Sequence, residues 1–263
     1  MDQNKKFKLV SSKKTRYLLP NIITLGGVCL GISSIKFSID GNFSLAVTLI
    51  LLAAILDALD GRIARLIKGT SEFGKELDSL TDFVSFGIAP VLLLYFWELN
   101  SYGKLGWAIT LIYSVCCVLR LARFNLTKID KTKEWKNNYF EGIPSPAGGL
   151  LILTPLLLEL SDIKINFNIK SIVPYFTILI AFLLVSKIPT LSLKKISVSP
   201  KTTVFILLGI GMTFISLLFY TFKTLLFFCL VYLISIPISF YMYRKQSKKE
   251  LFETSEDEHE DVL

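Results

Sequence analysis

Four aspartates stand where a lipid-compatible chain should have none. In "ILDALDGRIARLIKGTSEFGKELDSLTDF", residues 55–83, Asp57 and Asp60 end one apolar run, and Asp78 and Asp82 open the next. Asp57, Asp60, Gly61 and Ala64 follow at steps of three, one and three, so they share one helical face. Asp57 and Asp60 are about 4.5 Å apart along the axis. Gly74, Asp78 and Asp82 recur every four residues, again on one face. The two helices, joined by roughly ten residues, are expected as antiparallel neighbours with their acidic faces together.

One aspartate at a span centre costs about 2.5–3.5 kcal/mol on insertion scales. Four facing one another add like-charge repulsion unless cations sit among them. Arg65 and Arg62 are the nearby basic residues, too few to neutralise the group. Hard divalent ions, Mg²⁺ or Mn²⁺, suit carboxylate oxygens better. Two such ions would welcome a phosphate ligand, and the small residues Gly61 and Ala64 leave it room. Helix-end salt bridges, a proton path or a cation carrier are the other uses of such acids.

The elements that must position this group are membrane helices. The chain has 263 residues, 52% of them hydrophobic, and a mean hydropathy of +0.56. A spanning helix needs about 20 mostly apolar residues. Eight runs qualify or nearly do: 20–38, 43–66, 76–97, 104–124, 146–160, 170–187, 202–221 and 224–243. The expected fold is therefore an all-α integral membrane protein of about eight transmembrane helices with both termini cytoplasmic. In that topology all but five of the 29 Lys and Arg, namely Lys36, Lys104, Lys164, Lys170 and Lys223, lie on inside segments. This is the asymmetry the positive-inside rule expects.

The net charge of +8 then serves orientation and anionic lipid headgroups, and no nucleic acid is needed to explain it. A basic cytoplasmic tail is expected over 1–19, with the first span retained and not cleaved as a signal peptide. The candidate chemistry falls in 20–160. Residues 161–243 read as three further helices, packing or dimer scaffold, with Gly209 and Gly211 suited to close helix contact. A charged cytoplasmic tail fills 244–263. Cys29, Cys116, Cys117 and Cys229 fall within spans and read as packing residues. The one histidine, His259, lies in the acidic tail. Catalysis in the membrane part therefore has carboxylates, Lys, Arg, Tyr and hydroxyls to work with.

"DALDGRIARLIKGTSEFGKELDSLTD" resembles the signature D-x-x-D-G-x-x-A-R-x(8)-G-x-x-x-D-x-x-x-D of the CDP-alcohol phosphatidyltransferases. Asp57, Asp60, Gly61, Ala64, Arg65, Gly74, Asp78 and Asp82 fill all of its fixed positions. The resemblance implies an integral membrane enzyme that moves a phosphatidyl group from a CDP-linked lipid to an alcohol and releases CMP. It implies Asp57, Asp60 and Asp78 as ligands of two divalent ions. Asp82 would be the general base and would also touch a metal. Asp57, Gly61, Ala64, Arg65 and Gly74 would meet the CDP moiety.

"LPNIITLGGVCLG" and "ARFN … YFEGIPSPAGG" resemble the serine-using bacterial branch of the family. Gly27 and Gly148 stand where Asn and Ala are the expected residues, and the resemblance covers roughly residues 17–150. It implies CDP-diacylglycerol and L-serine as substrates and adds Asn21 and Thr24 to the CDP site. Ser145 reads as an N-cap with Pro146 as first helical residue, so free N–H groups there would seat a carboxylate. Arg120 and Arg123 are candidates for the acceptor carboxylate or a lipid phosphate, with Asn125 beside them. Membrane anchoring is the other reading of the arginines, and simple capping that of Ser145 and Pro146. Glycerol 3-phosphate or inositol phosphate remain alternative acceptors, and the basic loop 128–136 would suit either. A second copy of the chain is a candidate partner.

Overall fold

The computed structural model describes residues 13–67, 69–126, 139–163, 168–191 and 200–260. The basic N-terminal residues before Lys13 and the loop 128–136 lie outside the described residues. Ten α-helices carry the described fold: α1 Lys13–Ile39, α2 Phe43–Leu66, α3 Glu72–Asp82, α4 Ala89–Trp97, α5 Lys104–Leu126, α6 Ser145–Leu151, α7 Thr154–Leu160, α8 Val173–Val185, α9 Pro200–Phe219 and α10 Thr221–Glu260. Among the described residues five helices are long and apolar enough to cross a membrane: Leu18–Ile39, Phe43–Leu66, Glu72–Trp97, Lys104–Leu126 and Thr221–Gln246. Ile169–Val185 and Phe205–Phe219 are shorter apolar helices. The chain is an all-α membrane protein in kind, since its outer faces carry large hydrophobic side chains that water would not tolerate.

The expected fifth run, 146–160, is not one helix. It breaks at Ile152 and Leu153 into α6 and α7. Pro155 has no N–H to offer the Leu151 carbonyl and its ring would crowd it. Thr154 Oγ1 donates to that carbonyl at 2.6 Å instead.

Ser71 caps α3 by accepting from Gly74 N at 3.0 Å, so α3 starts at Glu72. The joint after α2 is therefore residues 67–71, half the expected length. α1 packs along α2 and against α3, whereas α2 and α3 scarcely touch each other. Gly31 lets α1 approach the turn that follows α3, because a Cβ there would stand 2.9 Å from Ser85 Oγ. The gap between α2 and α3 remains open for a site.

Directly after Asp82 the chain winds as a π-helix, Phe83–Ile88. Such wide turns carry one residue more than the α-helix and recur at functional sites. Neighbouring side chains tie down its carbonyls: Tyr113 Oη donates to Phe86 O at 3.1 Å, and Ser85 Oγ donates to Gly27 O at 3.2 Å. The core runs from Ile50 of α2 through Phe86, Leu93 and Tyr113 to Leu156, Ile180, Leu184 and Ile236.

A three-residue antiparallel pair, β1 Tyr139–Glu141 with β2 Pro189–Leu191, joins distant parts of the chain. Phe205, Leu207, Ile210 and Phe214 of α9 are exposed. Gly209 and Gly211, expected at a helix contact, have nothing within 4 Å of their Cβ positions. α10 runs on as one helix to Glu260, through most of the stretch read as a tail.

Candidate active site

Carboxylate oxygens of Asp57, Asp60 and Asp78 lie within 4.8 Å of one another, an arrangement that could hold a metal ion. Asp57 is also within hydrogen-bonding reach of Asp82 and Asp78. The two helical faces thus meet across the gap at their carboxylates. Asp60 is 4% exposed and Asp82 is 9% exposed. Thr24 Oγ1 donates to Asp60 Oδ2 at 2.6 Å, which orients that carboxylate from α1.

Among the described residues none of the four forms an ion pair. Arg65, considered as a partner from sequence, donates from Nε to Gly61 O at 2.9 Å, within its own helix. The cation in electrostatic reach of Asp57 and Asp82 is Arg120 of α5, 7% exposed. Asp82 Oδ1 is buried with no hydrogen-bond partner among the described residues. An all-oxygen, like-charged cluster with an orphaned buried acceptor fits a hard divalent cation. The salt-bridge reading of these acids does not.

A cleft opens beside the cluster, lined by Pro20, Asn21, Thr24, Asp60, Gly61, Ala64, Arg65, Gly69, Thr70, Ser71, Gly74, Lys75 and Asp78. Six of the seven residues expected around CDP are on this wall, and the seventh, Asp57, is in the cluster behind it. Gly61 faces open space, with nothing within 4 Å of a Cβ position, so any side chain there would enter the cleft. At Gly74 a Cβ would come 3.2 Å from Asn21 Oδ1, so the bare backbone lets α1 and α3 close over that end. Thr70, Ser71 and Lys75 also line the cleft and were not singled out from sequence. They occupy unspecified positions of the signature, and the nearness of Lys75 to Gly74 was the available hint.

The acceptor candidates divide. Arg120 Nη1 donates to Ser145 Oγ at 2.8 Å, with both side chains buried. Ser145 is not the N-cap: Pro144 holds that place, and Ser145 and Pro146 are the first two helical residues. The serine hydroxyl is spent on the arginine, not on the helix start. Arg123 turns away to clamp backbone carbonyls, donating to Val185 O at 2.6 Å, Ser186 O at 3.1 Å and Glu141 O at 3.2 Å. Asn125 Nδ2 donates to Ser79 Oγ at 3.0 Å and ties α5 to α3.

The model of the CDP-alcohol phosphatidyltransferase family matches residues 17–186. The chain belongs to this family. The match reaches past the motifs legible in the sequence to the end of α8, leaving β2, α9 and α10 outside. A CDP-diacylglycerol–serine O-phosphatidyltransferase of Helicobacter pylori (strain 26695) is 35% identical over 199 residues, covering 76% of this chain and 82% of that protein. One of Mycobacterium tuberculosis (strain H37Rv) is 38% identical over 184 residues, 70% of this chain. The chain spans 64% of the length of that mycobacterial relative. One of Bacillus subtilis (strain 168) is 32% identical over 159 residues, 58% of this chain and 86% of that protein. As a member of this family, the chain carries its eight signature residues around the cleft and the carboxylate cluster.

Proposed function

We propose that the chain transfers the phosphatidyl group of CDP-diacylglycerol to the hydroxyl of L-serine, giving phosphatidylserine and CMP. One observation carries this reading. Asp60 and Asp78 border the cleft lined by Asn21, Thr24, Gly61, Ala64, Arg65 and Gly74, while Asp82 and Asp57 lie toward Arg120 and Ser145. Donor and acceptor sides thus meet at the carboxylates. The names of the relatives support serine as the acceptor.

In this reading Asp57, Asp60, Asp78 and Asp82 hold two divalent ions, Mg²⁺ or Mn²⁺, whose charge would stabilise the attacking and leaving oxygens of the phosphoryl transfer. The protein's own groups do the rest. Asp82 accepts the serine hydroxyl proton as the new P–O bond forms and the bond to CMP breaks, with CMP keeping the electron pair. Gly61 and Ala64 let the cytidine diphosphate lie against backbone, and Arg65 and Gly74 bound its cleft. Arg120 holds the serine carboxylate, with Ser145 fixing the guanidinium; Arg123, Asn125 and Pro146 support that wall. The chain spans the bilayer eight times in this proposal, with both termini and the site at the cytoplasmic face.

The test is CMP release from CDP-diacylglycerol with serine, glycerol 3-phosphate and inositol phosphate in parallel. Release is expected with serine, absent in excess EDTA and restored by Mg²⁺ or Mn²⁺. Ethanolamine, which lacks the carboxylate, should fail. Full activity in excess chelator overturns the metal assignment, and turnover with another alcohol in place of serine overturns the substrate.

A further inference from the structure

The last long helix lies outside the family match, yet it reaches the acceptor side of the site. Tyr232, Ser239 and Gln246 follow at intervals of seven, two turns, so they share one face of α10. Ser239 Oγ donates to Pro189 O at 2.8 Å, and Tyr139 Oη donates to Gln246 Oε1 at 2.9 Å. That face is therefore seated on the β1–β2 pair. Further along it, the Tyr232 hydroxyl is buried and has no hydrogen-bond partner among the described residues. It lies beside Thr190, whose own hydroxyl donates to Gly142 O at 2.8 Å, and within electrostatic reach of Arg120.

Arg120 is in a similar condition. A guanidinium has five N–H donors, and among the described residues Arg120 gives one hydrogen bond, to Ser145, while stacking 5.2 Å from the Phe124 ring centroid. It is a buried cation with donors to spare, in electrostatic reach of a buried phenol oxygen that has no hydrogen-bond partner among the described residues. Such a pairing is a place for a small anion with more than one acceptor atom. One guanidinium matches the single charge of a carboxylate. A phosphate monoester carries nearly two charges at neutral pH, and the next arginine, Arg123, gives its guanidinium to backbone carbonyls.

We propose that Tyr232 is a specificity-determining residue of the acceptor pocket, its hydroxyl donating to the carboxylate of the amino-acid alcohol that Arg120 binds. This rests on the serine-transfer reading and extends it to a helix beyond the matched region. α10 then closes the acceptor side and selects for a carboxylate.

The test compares the full-length wild type with Tyr232→Phe, which removes one oxygen and keeps the ring. The KM for serine should rise about ten- to hundredfold, the worth of one hydrogen bond to a charged group. The kcat and the KM for CDP-diacylglycerol should stay within twofold. Tyr232→Gln, which restores a donor, should recover part of the serine affinity. A serine KM within twofold of wild type overturns the proposal, as does an equal rise in the donor KM, the mark of a merely structural residue. Loss of CDP-diacylglycerol binding in the Phe variant with no recovery in the Gln variant overturns it as well. If the wild type turns over serine and the variant is unchanged, this proposal alone falls. If the wild type uses another alcohol and not serine, the underlying reading falls and takes this one with it.

Discussion

Asp60 and Asp82 are both buried carboxylates, yet their surroundings differ in a way that kinetics can separate. Asp60 lines the cleft and is oriented by the Thr24 hydroxyl. Asp82 faces Arg120 and keeps one oxygen without a partner among the described residues. Asp82→Asn preserves shape but cannot take the serine proton. It should lower single-turnover rate by roughly 10²–10⁴-fold, the usual worth of general-base catalysis, with little change in CDP-diacylglycerol affinity. Asp60→Asn should weaken metal and donor binding together. Donor affinity and single-turnover rate at saturating Mn²⁺ decide it: equal loss of donor binding in both variants makes Asp82 a metal ligand alone and removes its role as base. At this scale the aspartates were legible, because four carboxylates in an apolar chain have few physical excuses. The partner of Arg120 was not, since Ser145 lies 25 positions away and only the packing of α6 against α5 brings the two together.

Single elements proved harder to read than single residues. Hydropathy marks apolar length, not continuity, so the run 146–160 looked like one span until Pro155 is given its missing hydrogen bond. The β1–β2 pair has no local signal, since its strands are three residues each and about 50 residues apart. It holds because Arg123 gathers the carbonyls of Glu141, Val185 and Ser186 around one guanidinium. Gly142, between β1 and α6, has a φ of 75°, and a Cβ there would meet Ser186 O at 2.7 Å. At Gly148 a Cβ would fall 2.7 Å from Leu184 Cδ2 of α8, so a side chain there would require that leucine to shift. Arg123→Met should keep the helical stem but release the clamp. A loss on the order of 3 kcal/mol is expected, one or two charge-assisted bonds net, read as a lower unfolding midpoint in detergent. An unchanged midpoint would mean that the carbonyls find other partners.

For the molecule as a whole, sequence and structure part over the continuity of the helices. Among the described residues five of the eight expected spans are long and apolar enough, the fifth run is broken, Ile169–Val185 is shorter, and Phe205–Phe219 is an apolar stretch of the 20-residue α9. The break at the fifth run has a local cause, Pro155, which a hydropathy count does not register. The proposed topology makes a direct prediction. Epitopes fused to the two ends should both be protected from protease in intact cells and both be cleaved in inverted vesicles. Opposite behaviour of the two ends would require an odd number of crossings. Fusion at Lys104 or Lys223, both expected outside, should show the reverse accessibility.

The π-helical turn between Asp82 and α4 sets a rule for insertions and deletions in this chain. Each residue of an α-helix advances about 100° around the axis. The wide turn therefore fixes the angle between the face that bears Asp78 and Asp82 and the face of α4 that enters the core through Leu93 and Leu94. Removing one residue from Phe83–Ile88 would let an ordinary α-helix form with its two sides in nearly the same phase, because the wide turn already absorbs the extra residue. One further inserted residue would exceed what the turn absorbs and swing the aspartates by about 100° away from α2. Insertion of one alanine after Val84 should leave helix content and membrane insertion intact while abolishing CMP release. A point substitution at Val84, half-buried in the same turn, should be tolerated. Length, more than residue identity, is what this stretch must conserve as the chain diverges.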